Sequence, residues 1–432
     1  MKKNRTVGHW SLAVTCLLFC SVKATGQLKT DTLAYTIKQA EQVFLQHNLP
    51  LLAEKLNIDQ ADAKILQAKV WPNPTFSLGE VQLYKNATTD DIPPLFGNFW
   101  RDRNFTLQLE QLIYTAGKRK KNIDLEIKNK ELAQHTFKDL LQALKAEFRQ
   151  TATEVIYIQG VQKNWEFQLL EVNKLLKAQQ SQLKEGHIAE VELYRLKALQ
   201  ISLQGEINSL NEQLTEAQKT LKTLMFINPE SAIVIIDNTD DVSIERWKSY
   251  RLRELISLSE NNALLQSART QIKVNQAQLA IEKANRIPDI TLNANYDRNG
   301  SVMLNFVGLG FSMDLPFFNR NKGNIRIAQY EVEKSMLMEK HKVSELNNAI
   351  VKTWTDLNRA IALYESIDKD YLDKLNTLTK SIAKNFSQHN ISLIEFLDFF
   401  ESFRESKEKY YEAIKNINVK KEDLNYLVGS EL

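Results

Sequence analysis

The titratable and metal-binding side chains of this sequence are numerous but not arranged for catalysis. No nucleophile elbow, phosphate-cradling loop or metal-spaced histidine–cysteine set occurs among its 6 His and 2 Cys. Both cysteines, Cys16 and Cys20, fall in an apolar N-terminal segment. His187 and His389 stand alone beside two helix-breaking turns, Gly186-His187-Ile188 and His389-Asn390-Ile391, and read as solvated. Met336, Met338 and His341 offer soft donors, yet methionine on a long helix ordinarily packs. What remains is electrostatic. Glu395 and Asp398 share one face of a helix at i, i+3 spacing, and Glu192 and Arg195 are their counterparts in an earlier, similar stretch. The chain reads as a non-enzyme with no cofactor and no bound metal.

The elements that position these groups are best read from Pro288 to Phe318. Ile290, Leu292, Ala294 and Tyr296 alternate with Thr291, Asn293, Asn295 and Asp297, and the alternation resumes as Val307, Leu309, Phe311, Met313 and Leu315. A period of two sends each set to its own face. Asn299-Gly300 between the arms suits a two-residue type I′ turn. Each arm has about the ten residues that a tilted strand needs to cross a bilayer. Phe105, Leu107 and Leu109 form a third strand, and Pro74 to Tyr84 a fourth, whose apolar parity switches at Gly79–Glu80 and predicts a bulge there. Residues 85–100 join this pair, with Pro93, Pro94, Phe96, Phe99 and Trp100 apolar enough to pack on a barrel rim. Four strands cannot close a barrel, and an open edge cannot persist in hydrocarbon, so copies of the chain must share one. The basic run Lys118 to Lys121, directly after a strand, reads as a solvated collar at the membrane edge.

Composition agrees with long helices around these strands. Only 13 Gly and 8 Pro occur in 432 residues, and the prolines avoid 95–228 and 317–432. Mean hydropathy is −0.37, which with 25% charged residues excludes a polytopic helical membrane protein. Residues 1–26 read as a secretory signal, with Lys2, Lys3 and Arg5 before the apolar Leu12–Val22 and Ala24-Thr25-Gly26 at the cleavage site. Acylation at Cys20 is the alternative, disfavoured by bulky Phe19 before it. Removal of the four leader cations turns a net charge of +3 slightly acidic, which is no footprint for nucleic acid.

A helix from Asp31 to about Val70, kinked or broken near Pro50, ends at Trp71-Pro72-Asn73-Pro74. From Ala116 to about Glu185 a further helix would span roughly 100 Å. Phe137, Leu141, Leu144, Phe148 and Val155 form its coiled-coil seam, and a return helix from Ala189 to Met225 carries Leu196, Leu199, Leu203, Leu210, Leu214, Leu221 and Leu224. The order then repeats. Asn261–Leu265 answers Asn48–Leu52, Pro288 answers Pro74, and Leu424 and Leu427 answer Leu221 and Leu224, at separations drifting from about 214 to about 203 residues. The second long helix carries Ile350, Trp354, Leu357, Ile361 and Tyr364 and breaks near His389–Asn390. The domains are therefore a first repeat, 27–226 (hairpin about 73–112, coiled coil about 116–226), a linker at 227–247, and a second repeat, 248–432 (hairpin about 288–317, coiled coil about 319–428).

Helix, hairpin and long coiled coil, repeated behind a signal, resemble the TolC family of outer-membrane efflux ducts over about residues 30–428. Trp71-Pro72-Asn73-Pro74 and Ile287-Pro288-Asp289-Ile290 are similar to the family's entries into its strands, and Tyr114-Thr115-Ala116-Gly117-Lys118-Arg119 and Phe317-Phe318-Asn319-Arg320 to its exits. The resemblance implies a mainly α protein with a membrane β-barrel: a homotrimer sharing one twelve-stranded barrel, its helices forming a periplasmic tunnel. It implies an outer-membrane location in a Gram-negative bacterium, with lipid, a periplasmic adaptor and an inner-membrane pump as partners. Ile391-Ser392-Leu393-Ile394-Glu395-Phe396-Leu397-Asp398 resembles the family's tip segment, which implies that Glu395 and Asp398 line a periplasmic constriction. By the repeat register Arg195 would pair with an acid of a neighbouring hairpin there. Gly186, His187, Ile188, His389, Asn390 and Ile391 would contact the adaptor. A heavy-metal cation duct and a periplasmic coiled-coil scaffold are the alternatives to drug or protein export.

Overall fold

The computed structural model describes residues 32–82, 104–236, 244–299, 303–367 and 370–432. The leader, the whole 85–100 connection and the Gly300 turn therefore lie outside the described residues. In chain order the elements are β1 (Thr32–Tyr35), α1 (Ile37–His47), α2 (Leu49–Lys69), β2 (Thr75–Gly79), β3 (Thr106–Ile113), α3 (Lys118–Lys184), α4 (Glu190–Met225) and β4 (Ala232–Ile235). After short helices α5 (Ile244–Ser249) and α6 (Leu252–Leu258), the pattern restarts with α7 (Ala263–Ala284), β5 (Ile290–Asn299) and β6 (Leu304–Met313). It ends with α8 (Lys322–Glu365), α9 (Tyr371–Ser387) and α10 (Leu393–Val428).

The two runs of elements match in their special backbone positions. Gly117 and Asn321, both left-handed, open α3 and α8; Gly186 and His389 turn the two coiled coils; Phe226 and Gly429 end α4 and α10. The cap residues match too. Asn48 caps α2 by accepting from the Leu51 amide, and its Nδ2 donates to the Leu224 carbonyl at 2.9 Å. Asn262 caps α7 by accepting from Leu264 and Leu265, and its Nδ2 donates to the carbonyls of Tyr426 and Leu427. Each asparagine ties the start of one helix to the far end of its own run, where orphan carbonyls need donors. Asn262 rather than Asn261 is the counterpart of Asn48, one residue from the sequence alignment of the two halves.

Four strands form one antiparallel sheet in the order β2-β3-β5-β6. Ile290 pairs with Met313, Leu292 with Phe311, Ala294 with Leu309 and Tyr296 with Val307, so the two alternations share a face as their parity requires. Asn299 pairs with Leu304, which leaves a longer connection than the expected two-residue turn. The bulge is where the parity switch puts it. Gly79 opposes Thr106, but the Gln82 amide donates to the Asn104 carbonyl, so this strand carries one extra residue, and Glu80 takes a positive φ of 50°.

Three other expectations change. Thr32–Tyr35 is not helical: β1 pairs in parallel with β4, a short strand within the 227–247 linker. Helix formation starts only at Thr36, which builds a capping box with Gln39. The helix after β6 is interrupted between Glu365 and Tyr371, despite the absence of proline. Here Lys248 bonds Glu365, and Ile244, Tyr364 and Ile367 pack on the apolar cluster that contains Trp247, so the helix breaks beside α5. The basic run is not a loose collar either: Lys118 pairs with Asp289 at 2.9 Å, Lys121 bonds the Ala116 carbonyl, and Arg119 bonds the Lys69 carbonyl and lies over Trp71.

Two apolar clusters hold the middle of the molecule. One joins α1, α3 and α4 through Phe44, Phe148, Ile158, Leu221 and Met225, with the Phe44 and Phe148 rings stacked at 5.2 Å. The other joins α6, α8 and α10 through Leu255, Ile350, Leu357, Ile417 and Leu424. Each such fully buried side chain contributes about 1.5–3 kcal/mol. Beside the first, Arg149 of α3 gathers Glu41 of α1 with Glu422 and Glu431 near the C-terminus, at 2.7–3.2 Å.

Candidate functional site

The far ends of the two coiled coils fold alike. At the first, the His187 amide reaches the Gln182 carbonyl and the Gly186 amide the Leu183 carbonyl; at the second, Asn390 reaches Asn385 and His389 reaches Phe386. Both are Schellman ends, which need a left-handed residue just past the cap. Gly186 meets this at φ +76°, whereas His389 takes φ +59° with a side chain attached. Beneath the turns Val172, Leu176, Leu193, Leu196, Phe386, Phe396 and Phe400 form one core, with Phe386 and Phe396 stacked at 5.0 Å. The structure thus brings the two tips together, with Ile391 packed on this core.

The return helices start differently. Ser392 caps α10: its hydroxyl accepts from the Glu395 amide, while the Glu395 carboxylate accepts from the Ser392 amide and hydroxyl, both at 2.8 Å. These bonds, the backbone one foremost, hold the Glu395 carboxyl below its usual range. Ala189 stands at the same place before α4 and has no capping side chain. Glu395 and Asp398 are both exposed, with Leu393, Phe396 and Phe400 turned inward beside them. Glu395 is thus partly occupied in the cap, and Asp398 is the freer of the two acids. Arg195 is exposed on α4, and among the described residues it forms no ion pair within the chain. His187 lies 3.4 Å from Glu185, both well exposed. Met336 and Met338 are 41% and 51% exposed, so in the single chain they face outward rather than packing. Among the described residues no group of three His, Cys, Asp or Glu is placed to hold a metal.

At the other end of the molecule the sheet presents two unlike faces. Phe76, Leu109, Ala294 and Leu309 run across one face, and Leu78, Leu107, Tyr296 and Val307 lie beside them. Leu309 is 85% and Phe311 69% exposed, with nothing among the described residues to cover them. The opposite face carries Ser77, Gln108, Asn295 and Gly308 in one row and Glu110, Asn293 and Gly310 in the next. A Cβ at Gly308 or Gly310 would strike the Asn295 or Asn293 side chain, so glycine lets those amides lie flat across the strand. Neither outer edge, on β2 or on β6, has a partner strand among the described residues. Asp289 locks the base of the sheet by accepting from the Thr115 amide at 2.9 Å as well as from Lys118. Among the described residues no helix is long and apolar enough to cross a membrane.

Sequence reading missed the Ser392–Glu395 box, although the Ser-x-x-Glu signature was there to find. It also missed Lys407, buried on α10 with its Nζ on Asn164 and Asn376, because those partners lie on other helices.

A family model described as outer membrane efflux protein matches residues 41–225 and 255–390. The cobalt-zinc-cadmium resistance protein CzcC of Cupriavidus metallidurans is 22% identical over 300 residues, which cover 69% of this chain and 67% of that protein. The fold is similar to that of CusC, whose crystal structures concern folding and transmembrane channel formation, with a TM-score of 0.72 at 16% identity over 95% of this chain and 96% of that one. It is similar also to the outer membrane protein VceC of Vibrio cholerae, with a TM-score of 0.69 at 14% identity over 91% and 96% of the two chains.

Proposed function

We propose, from the premise that this chain belongs to the outer membrane efflux protein family, that three copies close one barrel and form a passive duct through the outer membrane and periplasm. The protein is an efflux channel and not an enzyme, as its family is. The carrying observation is the sheet. It has one exposed apolar face, one polar face and, among the described residues, two unpaired edges, which suits a wall segment between lipid and water and is unstable alone. Three such segments, each adding its β6 edge to the next β2 edge, leave no edge, and twelve strands enclose an open lumen. The matched caps and turns of the two halves support an internal duplication, so each protomer supplies two similar arcs of the wall.

At the opposite end the tips form the mouth. Asp398, with Glu395 beside it, rings the opening with carboxylates that bind or repel cations. Arg195, without an acid partner among the described residues of its own chain, pairs across to a neighbouring protomer. The turns Gly186–Ile188 and His389–Ile391 face a periplasmic adaptor, through which an inner-membrane pump supplies cargo. Single-channel recording of the purified protein in a planar bilayer tests this reading. Small cation-preferring steps that grow in Glu395→Gln/Asp398→Asn support it. Conductance unchanged by that variant removes the gating role, and a protein that needs no detergent and conducts nothing removes the duct.

A second reading concerns cargo. CzcC is by name a cobalt, zinc and cadmium resistance protein, and 22% identity over 300 residues is enough to raise divalent cations as cargo here. Deletion of the chain in its own host distinguishes the readings: sensitivity to zinc or cobalt salts marks a metal duct, and sensitivity to organic antimicrobials a drug duct.

A further inference from the structure

A groove of about 530 Å³ opens at the base of β6, where the chain leaves the sheet for α8. Its apolar lining is Ile287, Leu315 and Phe317, all at least half exposed. Leu315 follows the alternation of Leu309, Phe311 and Met313, so the groove continues the apolar face of the sheet. Its charged lining is Lys283 and Arg286 from the end of α7 and Arg320 ahead of α8, with no carboxylate among its walls. Among the described residues none of these three cations has an ion pair or hydrogen bond in the chain. The corresponding corner of the first half differs. There Arg119 is spent on the Lys69 carbonyl and the Trp71 ring, and Lys118 on Asp289. Three unpaired cations beside exposed apolar side chains at one corner lack a partner that is both anionic and greasy.

We propose that Lys283, Arg286 and Arg320 seat the phosphate of an anionic glycerophospholipid, in the leaflet nearest the helices, with its acyl chains continuing over Leu315 and the apolar face of the sheet. This rests on the reading of that face as lipid-facing. The chemistry fits at each point. Guanidinium groups match phosphate oxygens in a two-pronged geometry. The exposed Phe317 ring offers apolar surface to the acyl chains next to the headgroup. Basic residues next to a membrane surface favour anionic lipids, each adding roughly a fivefold preference. The helix dipole accounts for cations near the end of α7, but not for Arg320 on a separate segment.

Native mass spectrometry of the full-length protein in non-ionic detergent, titrated with phosphatidylglycerol, phosphatidylethanolamine or glycerol 3-phosphate, tests the site. Wild type is expected to prefer phosphatidylglycerol over phosphatidylethanolamine by about tenfold or more. Lys283→Gln/Arg286→Gln/Arg320→Gln should bind the two alike, and Arg286→Lys/Arg320→Lys should keep part of the preference. All these positions are exposed, and unaltered conductance of the variants confirms that they fold. A preference retained in the triple variant overturns the proposal, as does glycerol 3-phosphate binding as tightly as the lipid, which would mark a soluble phosphate site. Failure of the lipid-facing reading looks different: the protein would stay in solution without detergent and bind neither lipid.

Discussion

Ser392 and Glu395 close on each other at the start of α10, each satisfying the other's backbone amide. The carboxylate expected to line the mouth is therefore also the cap of the helix that carries it. Glutamine can replace glutamate in such a box and alanine cannot. Glu395→Gln should keep much of the hydrogen-exchange protection at 393–397 at neutral pH, whereas Glu395→Ala should lose more of it. The folded pKa of Glu395 is depressed, so its contribution is complete above the ordinary glutamate value and is lost as pH falls through the lower folded value. Protection at the tip should then decline on acidification in wild type and stay flat in Glu395→Gln.

The first tip lacks what the second has. Ala189 occupies the cap position and Glu192 the place of Glu395, three residues on. Ala189→Ser should complete the box and stabilise the start of α4 by about 1 kcal/mol, read as slower exchange at 190–193. Exchange equal to wild type would show that the Glu192 side chain is engaged elsewhere.

Gly186 has open space around its Cα, so a methyl group there meets no neighbour and its effect is one of backbone alone. At φ +76° an L side chain costs about 1–2 kcal/mol. Gly186→Ala should destabilise the first turn by that amount, while His389→Gly should relieve a comparable strain at the second. Local opening energies from hydrogen exchange, of opposite sign at the two tips, are the expected result.

Much of this architecture was legible because it is local. Strict alternation in 290–313 specified β5 and β6 and their shared face, and the switch at Gly79–Glu80 located a bulge that costs one residue of register. The seams at Phe148, Leu203 and Leu221 became core for the same reason: each follows from a period. What was illegible depends on distant partners. Four residues at Thr32–Tyr35 carry too short a pattern to beat a helical expectation, and only Ala232–Ile235 makes them a strand. Glu365 ends α8 beside Lys248, a contact without a periodic signature. At the tip the positions of Glu395 and Asp398 were readable from a motif. The capping role of Glu395 depends on rotamer and cap geometry, which spacing alone does not show.

Arg149 holds three carboxylates from two ends of the chain, and the hydrogen bonds of Lys145 and then Arg149 hold Glu431 down to about 2. The Glu431 side chain is 63% exposed, so solvent screens the pair and its worth stays within about 1 kcal/mol. That contribution is present above the ordinary glutamate pKa and is lost as pH falls toward 2. Arg149→Ala is a different matter, because the mostly buried Glu422 loses its cation and Glu41 keeps only Lys145, at a cost of about 3 kcal/mol. Thermal melting should rank Arg149→Ala far below Glu431→Gln, and both deficits should shrink in acid, where the carboxylates lose their charge.

Lys407 sits 5% exposed on α10 with two amide oxygens, Asn164 and Asn376, as hydrogen-bond partners and, among the described residues, no carboxylate on its ammonium. Burial pulls its pKa down to about 8. The unfolded lysine titrates near 10.4, so between the two values the unfolded chain holds a proton that the folded chain has released. Stability must then rise with pH across that window, by an amount on the order of 2–3 kcal/mol. Truncation at neutral pH is a poor probe. Lys407→Met removes a buried charge but strands the Asn164 and Asn376 oxygens, and these effects oppose each other. The slope separates them. Melting of wild type minus melting of Lys407→Met should climb between pH 8 and about 10, because only wild type has this proton to lose. A flat difference would mean that the ammonium stays charged in place, held by the two asparagines alone.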